Sequence, residues 1–317
     1  METREKCGTV VITGAFSYTG KYTTRLLLQR GYSVRTLTSH SSPESQKEFG
    51  NAVDVFKFNF DNPERLERSL RGATTLINTY WVRFPQGSQT FESAVANTLT
   101  LFHAAKNAGV ERIVHVSIAS PSVDSRLGYY RGKALLEGAL AELQVPYSIV
   151  RPTVIFGRED ILINNIAWFL RKFPAFAIPG DGQYRLRPIY VEDMAGLLAN
   201  ATEKRGNEVI DAVGPEAFTF EILVSSIAKS IGRSPILAHV PARFAHAATW
   251  LVGHLVGDVV LTKQEYTGLM DGLLAPEGPS TGNTCLSAWL AANHEQLGVK
   301  YSSEVARHFT QAVNATN

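Results

Sequence analysis

The sequence predicts an α/β fold, a doubly wound parallel sheet followed by a smaller, mainly helical C-terminal lobe. Three observations carry that prediction. The stretch 10–38, VVITGAFSYTGKYTTRLLLQRGYSVRTLT, reads as strand, glycine turn, helix and strand in close succession. From there to about Arg151, β-rich apolar runs alternate with helical stretches, the rhythm of parallel strands with helices on both faces. From Pro152 the texture changes to longer loops and aromatic clusters, with Phe173-Pro174 and Ile178-Pro179-Gly180-Asp181-Gly182 as loop punctuation.

Taken in order, Val10–Ile12 is the first strand and ends in Gly14. The helix expected over Lys21–Arg30 closes at Gly31, and Ser33–Thr38 is the second strand. Ser39–Glu48 is a polar connection holding Pro43, and Val53–Phe60 alternates as a third strand. Asn62 is the N-cap and Pro63 the first turn of a helix over Glu64–Leu70. A short strand Thr74–Asn78, a helix Phe91–Asn107 and a strand Arg112–Ser117 follow. Ile189–Asn200 reads as a strand end plus a helix that returns to the first domain. The expected division is therefore 1–155 with 186–212 as a Rossmann-type nucleotide-binding domain, and 156–185 with 213–317 as a lobe for substrate or partner. The tail beyond Ala312 is expected to fray.

Composition narrows the function. Hydrophobic content of 44% and charged content of 19% describe a globular chain, and a net charge of +2 spread along the sequence leaves no nucleic-acid footprint. Cys7 and Cys285 have no metal-ligand spacing, which predicts a cytoplasmic, reduced setting and no metal. The charged start, Met1 to Lys6, leaves no room for a secretory leader. Phe244–Leu261 approaches spanning length, but His246, His254, Asp258 and two glycines interrupt it. A buried or partly exposed helix is expected there and no transmembrane span, with an interfacial membrane contact left open.

Two constellations carry chemistry. Gly14 and Gly20 supply bare backbone where a pyrophosphate meets a helix N-terminus, although Ser17 stands where a middle glycine would be expected. Tyr129 and Lys133, four apart in Gly128-Tyr129-Tyr130-Arg131-Gly132-Lys133-Ala134, share one helix face. An ammonium beside a phenol lowers the cost of the phenolate and suits the pair to proton transfer; the plainer alternative is a half-exposed helix face. Ser117 lies at a strand's carboxyl end, where a hydroxyl could orient a substrate oxygen, with Ser120 as its competitor.

With these residues, Asn59-Phe60 before Asn62-Pro63-Glu64, Arg151-Pro152-Thr153-Val154-Ile155-Phe156-Gly157 and Arg187-Pro188-Ile189-Tyr190-Val191-Glu192-Asp193, the chain resembles the short-chain dehydrogenase/reductase superfamily over nearly its whole length. It is most similar to the extended-to-atypical branch of sugar-nucleotide epimerases, NmrA-like proteins and the nucleotide-binding accessory subunit of respiratory complex I. The C-terminal third looks most like bacterial members of that last group. The resemblance implies that Gly14, Ser17, Tyr18, Thr19 and Gly20 cradle a pyrophosphate and that Asn59 and Phe60 lie beside the adenine. It places Asn78 and Thr79 under the nicotinamide-side ribose, which Lys133 holds, with Pro152 and Thr153 flanking the carboxamide. Tyr129 would be the acid/base of an NAD(P)-dependent oxidoreductase or epimerase acting on a carbonyl or hydroxyl substrate.

Two departures from the family pattern matter. NAD-preferring members carry a carboxylate at the end of the second strand; here Thr38, Ser39 and His40 stand there, and Arg35 and His40 could attract a 2′-phosphate. NADP is therefore expected, with NAD as the alternative. In Asn78-Thr79-Tyr80-Trp81-Val82-Arg83-Phe84, large side chains replace the small ones that line an epimerase cleft. Tyr80, Trp81 and Arg83 form either a stacking wall with an anion contact for substrate, or a filled cleft in a non-catalytic redox sensor or assembly subunit. Monomer and homodimer both stay open, as does the substrate.

Overall fold

The computed structural model describes residues 7–39, 47–241 and 262–303. His40, the helix expected over 244–261 and the tail past Ala312 lie outside the described residues. The elements run β1 (Thr9–Thr13), α1 (Tyr18–Gln29), β2 (Ser33–Thr38), β3 (Val53–Lys57), α2 (Pro63–Leu70), β4 (Thr75–Asn78), α3 (Phe91–Asn107), β5 (Arg112–Val116), α4 (Gly128–Glu142) and β6 (Tyr147–Pro152). They continue with β7 (Ile155–Phe156), α5 (Leu162–Lys172), β8 (Ala175–Pro179), β9 (Arg185–Leu186), β10 (Ile189–Tyr190), α6 (Val191–Ala201), β11 (Glu208–Ala212), β12 (Phe218–Thr219), α7 (Phe220–Ser230), β13 (Ile236–Val240), α8 (Lys263–Met270) and α9 (Leu286–Asn293). Two compact units result, one of Met1–Pro152 with Val191–Ala212, the other of Thr153–Tyr190 with Val213–Asn317.

The first unit is a seven-stranded sheet in the order β11-β6-β5-β4-β1-β2-β3, every pair parallel. The order reverses between β1 and β4, so the chain leaves these neighbours toward opposite sides and a crevice opens at their carboxyl ends. Val10, Val11 and Ile12 are wholly buried, as a central strand covered on both faces requires. Against one face α2, α3 and α4 pack Leu66, Leu70, Leu101, Phe102, Leu136 and Leu140 onto Val11, Leu76 and Ile113. α1 and α6 pack together.

α1 begins three residues before the expected start because Ser17 caps it, its Oγ accepting from the Gly20 N–H at 3.3 Å. β3 stops at Lys57 instead of running to Phe60. Beyond it the chain turns, Asn62 N–H donating to the Asn59 carbonyl, and the Phe58 and Phe60 rings stack with centroids 4.9 Å apart. The returning segment is tied in by Arg112, only 4% exposed. Its guanidinium donates to the carbonyls of Ala201 (2.6 Å), Gly206 (3.0 Å) and Tyr147 (3.1 Å) and to Ser148 Oγ (2.6 Å).

The second unit is built on α5, α7, α8 and α9, with three two-stranded pairs, β7–β10 and β8–β13 parallel and β9–β12 antiparallel. Its core gathers Phe156, Ile163, Leu170, Ile178, Leu223, Ile227 and Leu290. Trp168, Phe169 and Phe173 form ring contacts with one another, and Trp168 and Phe169 with Tyr301. Buried Asp160 accepts from the Gly157 and Ile163 N–H groups and from the Asn164 amide; burial pushes its carboxyl up to about 7.

Candidate functional site

The first turn of the site is a backbone cradle. Gly14 adopts φ +69° and its N–H donates to the Leu37 carbonyl, while its own carbonyl accepts from the Ser17 N–H at 2.9 Å. Gly20 faces this turn so closely that a Cβ there would lie 2.0 Å from the Gly14 oxygen. The loop thus sets bare backbone at Gly14 and Gly20 against α1's N-terminus, an arrangement that fits a pyrophosphate. Ser17, expected to join the cradle, spends its hydroxyl on the cap instead.

Around the crevice the sequence-predicted residues divide. Thr38 is buried at the end of β2 and Ser39 is exposed beside it, with no carboxylate at either position. Arg35 corrects an expectation: it sits in the middle of β2 and donates to the Arg71 carbonyl at 2.7 Å, beyond the C-terminus of α2 and at the amino edge of the sheet. Its cation is therefore turned from the edge where a 2′-phosphate would lie. Phe60 and Tyr80 bring their rings to 5.1 Å, and Tyr80 packs on Phe58 at 5.3 Å. Tyr80, left open between a substrate wall and a filled cleft, belongs to this cluster, its hydroxyl accepting from the Asn97 amide at 3.0 Å.

Asn78 also takes a different task. It is fully buried, Oδ1 accepting from Thr13 Oγ1 at 3.2 Å and from the Tyr80 N–H at 3.0 Å, so it offers no surface to a ribose. Those contacts orient the amide, so Nδ2 donates to His115 Nδ1 at 3.1 Å and the imidazole proton resides on Nε2. Burial holds His115 well below the usual histidine range, which keeps it neutral. Thr79 donates its hydroxyl to the Thr13 carbonyl.

Ser117, Tyr129 and Lys133 come from β5's carboxyl end and from α4. Ser117 is 3% exposed and its Oγ has no hydrogen-bond partner among the described residues, whereas Ser120 is exposed at φ +53°. Lys133 is 2% exposed, and its ammonium donates to the Val116 carbonyl at 2.7 Å. Burial lowers it from the ordinary lysine value to about 7, with Glu137 opposing the shift. The ring of half-buried Tyr129 stands edge-on to Trp81 at 5.4 Å and to Phe91 at 5.8 Å.

Sequence reasoning missed where Trp81 goes. Its indole lies over Lys133, with Nζ 4.5 Å from the ring centroid, and stacks on Phe91. Arg83 is half-buried nearby in the chain. Pro152 ends β6, its carbonyl accepting from the Ala119 N–H, while Thr153 belongs to the second unit and donates to the Arg187 carbonyl. A cavity of about 580 Å³ lined by Cys7, Tyr32, Thr74, Arg112 and Lys204 contains none of the predicted residues. Among the described residues no helix is long and apolar enough to cross a membrane.

The family model described as NmrA-like matches residues 6–244. The chain belongs to the NmrA-like family. Among relatives of this NmrA-like chain, the Arabidopsis thaliana protein named NADH dehydrogenase [ubiquinone] 1 alpha subcomplex subunit 9, mitochondrial, is 26% identical over 246 residues, covering 74% of this chain and 61% of the relative. Divinyl chlorophyllide a 8-vinyl-reductase, chloroplastic, of Oryza sativa is 26% identical over 267 residues, covering 78% and 64%. The NmrA-like chain thus spans about three-fifths of the length of these relatives. Its fold is that of Citrobacter triphenylmethane reductase complexed with NADP(H), at a TM-score of 0.72 and 17% identity over 90% of this chain and 99% of that one.

Proposed function

We propose that this NmrA-like protein binds NADPH, with NADH as the alternative, and reduces or interconverts a carbonyl or hydroxyl substrate with Tyr129 as the proton carrier. The observation that carries the reading is the Gly14–Gly20 cradle, closed to any Cβ, at the point where the strand order reverses. The absence of a carboxylate at Thr38 and Ser39 supports the phosphorylated nucleotide, because nothing there repels a 2′-phosphate. The printed names of the rice and Citrobacter proteins are those of reductases.

The bound nucleotide would give or take a hydride. The protein's part is positioning and proton transfer. Tyr129 holds a proton at its hydroxyl, one helical turn from Lys133, whose positive form makes the phenolate less costly. The Ser117 hydroxyl has no hydrogen-bond partner among the described residues, which supports it ahead of Ser120 as the group that orients a substrate oxygen.

A second reading, nucleotide held without turnover, is favoured by one specific observation, the indole of Trp81 over Lys133. The name of the Arabidopsis relative, a subunit of NADH dehydrogenase, points the same way. Titration with NADPH and NADH followed by nicotinamide fluorescence, then a panel of carbonyl compounds, separates the readings. Tyr129→Phe should lower turnover by about 10²–10⁴-fold and leave cofactor affinity within about two-fold. Binding without oxidation on any carbonyl selects the second reading. No binding of either nucleotide defeats both.

A further inference from the structure

We propose that Trp81 is a specificity residue of this same site: its indole covers the Lys133 ammonium, so a nucleotide's nicotinamide half engages that ammonium only when the ring turns aside, while the adenosine half binds without that step. The inference rests on the nucleotide reading and adds to it a residue that decides between the two halves of the ligand.

Three features of the structure support it. First, Lys133 is 2% exposed, one of its protons is committed to the Val116 carbonyl, and the indole face lies 4.5 Å from Nζ. No hydroxyl of a ligand can reach the ammonium past that ring. Second, room for the ring is made by Gly132, where a Cβ would meet Trp81 Cη2 at 2.8 Å and Val95 Cγ2 at 3.1 Å. The covered state is therefore shaped by the side chains around it. Third, two buried polar groups, Trp81 Nε1 and Ser117 Oγ, have no hydrogen-bond partners among the described residues. Such groups are rare in a settled interior, and a polar ligand entering beside them would relieve them. Neither group belongs to the Gly14–Gly20 cradle.

A binding state populated only when the indole has moved lowers apparent affinity by its population. Removing the ring removes that factor. A desolvated cation over an indole face corresponds to a change in affinity on the order of ten-fold or more.

The experiment compares wild type, Trp81→Ala and Trp81→Leu in the full chain with two probes, NADPH and 2′-phosphoadenosine 5′-diphosphate, which lacks both the nicotinamide and its ribose. The expected result is NADPH binding tightened by about ten-fold in the variants with the second probe moved by less than about two-fold. Equal shifts of both probes overturn the proposal, as does weakened NADPH binding in Trp81→Leu.

Lysine acetylation read by mass spectrometry supplies a test that needs neither a variant nor activity. Wild-type Lys133 should react at least about ten-fold more slowly than exposed Lys106. Equal rates overturn the cover even where NADPH binds tightly. Failure of both probes to bind, with Lys133 still protected, overturns the nucleotide reading and this proposal with it.

Discussion

Replacing Gly20 by alanine tests the cradle at its tightest point. The added Cβ would lie 2.0 Å from the Gly14 oxygen, 2.9 Å from the Gly14 carbonyl carbon and 2.8 Å from Ser17 Oγ, all inside contact distance. Relief requires the first turn of α1 to back away. That movement breaks the Gly20 N–H to Ser17 Oγ cap and strains the Lys21 N–H to Ser17 carbonyl bond of 2.9 Å. Overpacking of this kind costs about 1–3 kcal/mol, against which alanine's helical preference over glycine returns only about 0.5–1 kcal/mol. Gly20→Ala should therefore lower stability by about 1–2 kcal/mol and weaken NADPH binding by more than about ten-fold. Gly138→Ala is the matched control, since Gly138 lies in α4, is exposed and has no atom within 4 Å of an added Cβ. It should gain about 0.5–1 kcal/mol. Urea unfolding midpoints of the two variants, compared at equal slope, decide the matter. A Gly20→Ala protein as stable as the Gly138→Ala protein would refute the close approach.

Three further outcomes are expected. Burial depresses Lys133 to about 7 in the folded chain, so between there and its ordinary value of 10.5 the unfolded chain binds the extra proton and stability rises with pH. Lys133→Met should flatten the rise of the urea midpoint from pH 7 to pH 9; parallel slopes for the two proteins would count against the shift. Glu137 is 9% exposed and grips Arg151 through two bonds of 3.0 and 2.5 Å, so Glu137→Gln should cost about 1–3 kcal/mol by removing the charged acceptor of a partly exposed guanidinium that Asp211 still attracts, and an unfolding midpoint equal to wild type would contradict this. Arg187 donates to the carbonyls of Gly214, Pro276 and Gly278, and Arg187→Met should destabilise the second unit by about 2 kcal/mol and speed hydrogen exchange near 274–282, whereas unchanged exchange would reject the anchoring role.

The sheet was legible because its signals are local. Gly14, the apolar run before it and the alternation that follows are read within single windows, and a helix starting just after Asn62-Pro63 needs only its cap. Asn78, Arg35 and Trp81 were not legible for one shared reason. Each is settled by a partner far along the chain: Asn78 by Thr13 and His115, Arg35 by the Arg71 carbonyl, and Trp81 by Gly132 and Lys133. A strand position says which face a residue takes but not where a long guanidinium ends, and Arg35 reaches the edge opposite to the one expected. The end of β3 was misplaced because apolar alternation through Phe58 and Phe60 continues after the hydrogen-bonded ladder has stopped, the rings preferring each other.

The Arg112 knot has a consequence for how this sequence can be divided or inherited. The guanidinium joins β5 and β6 to carbonyls at Ala201 and Gly206, which arrive only after the intervening residues 153–190 have been made. A fragment ending at Pro152 would keep six of the seven sheet strands and lose two of the acceptors that make a buried cation tolerable. The unit is thus an interrupted module, and the segment between its parts can be exchanged or lengthened in a descendant only if both flanks are carried along together.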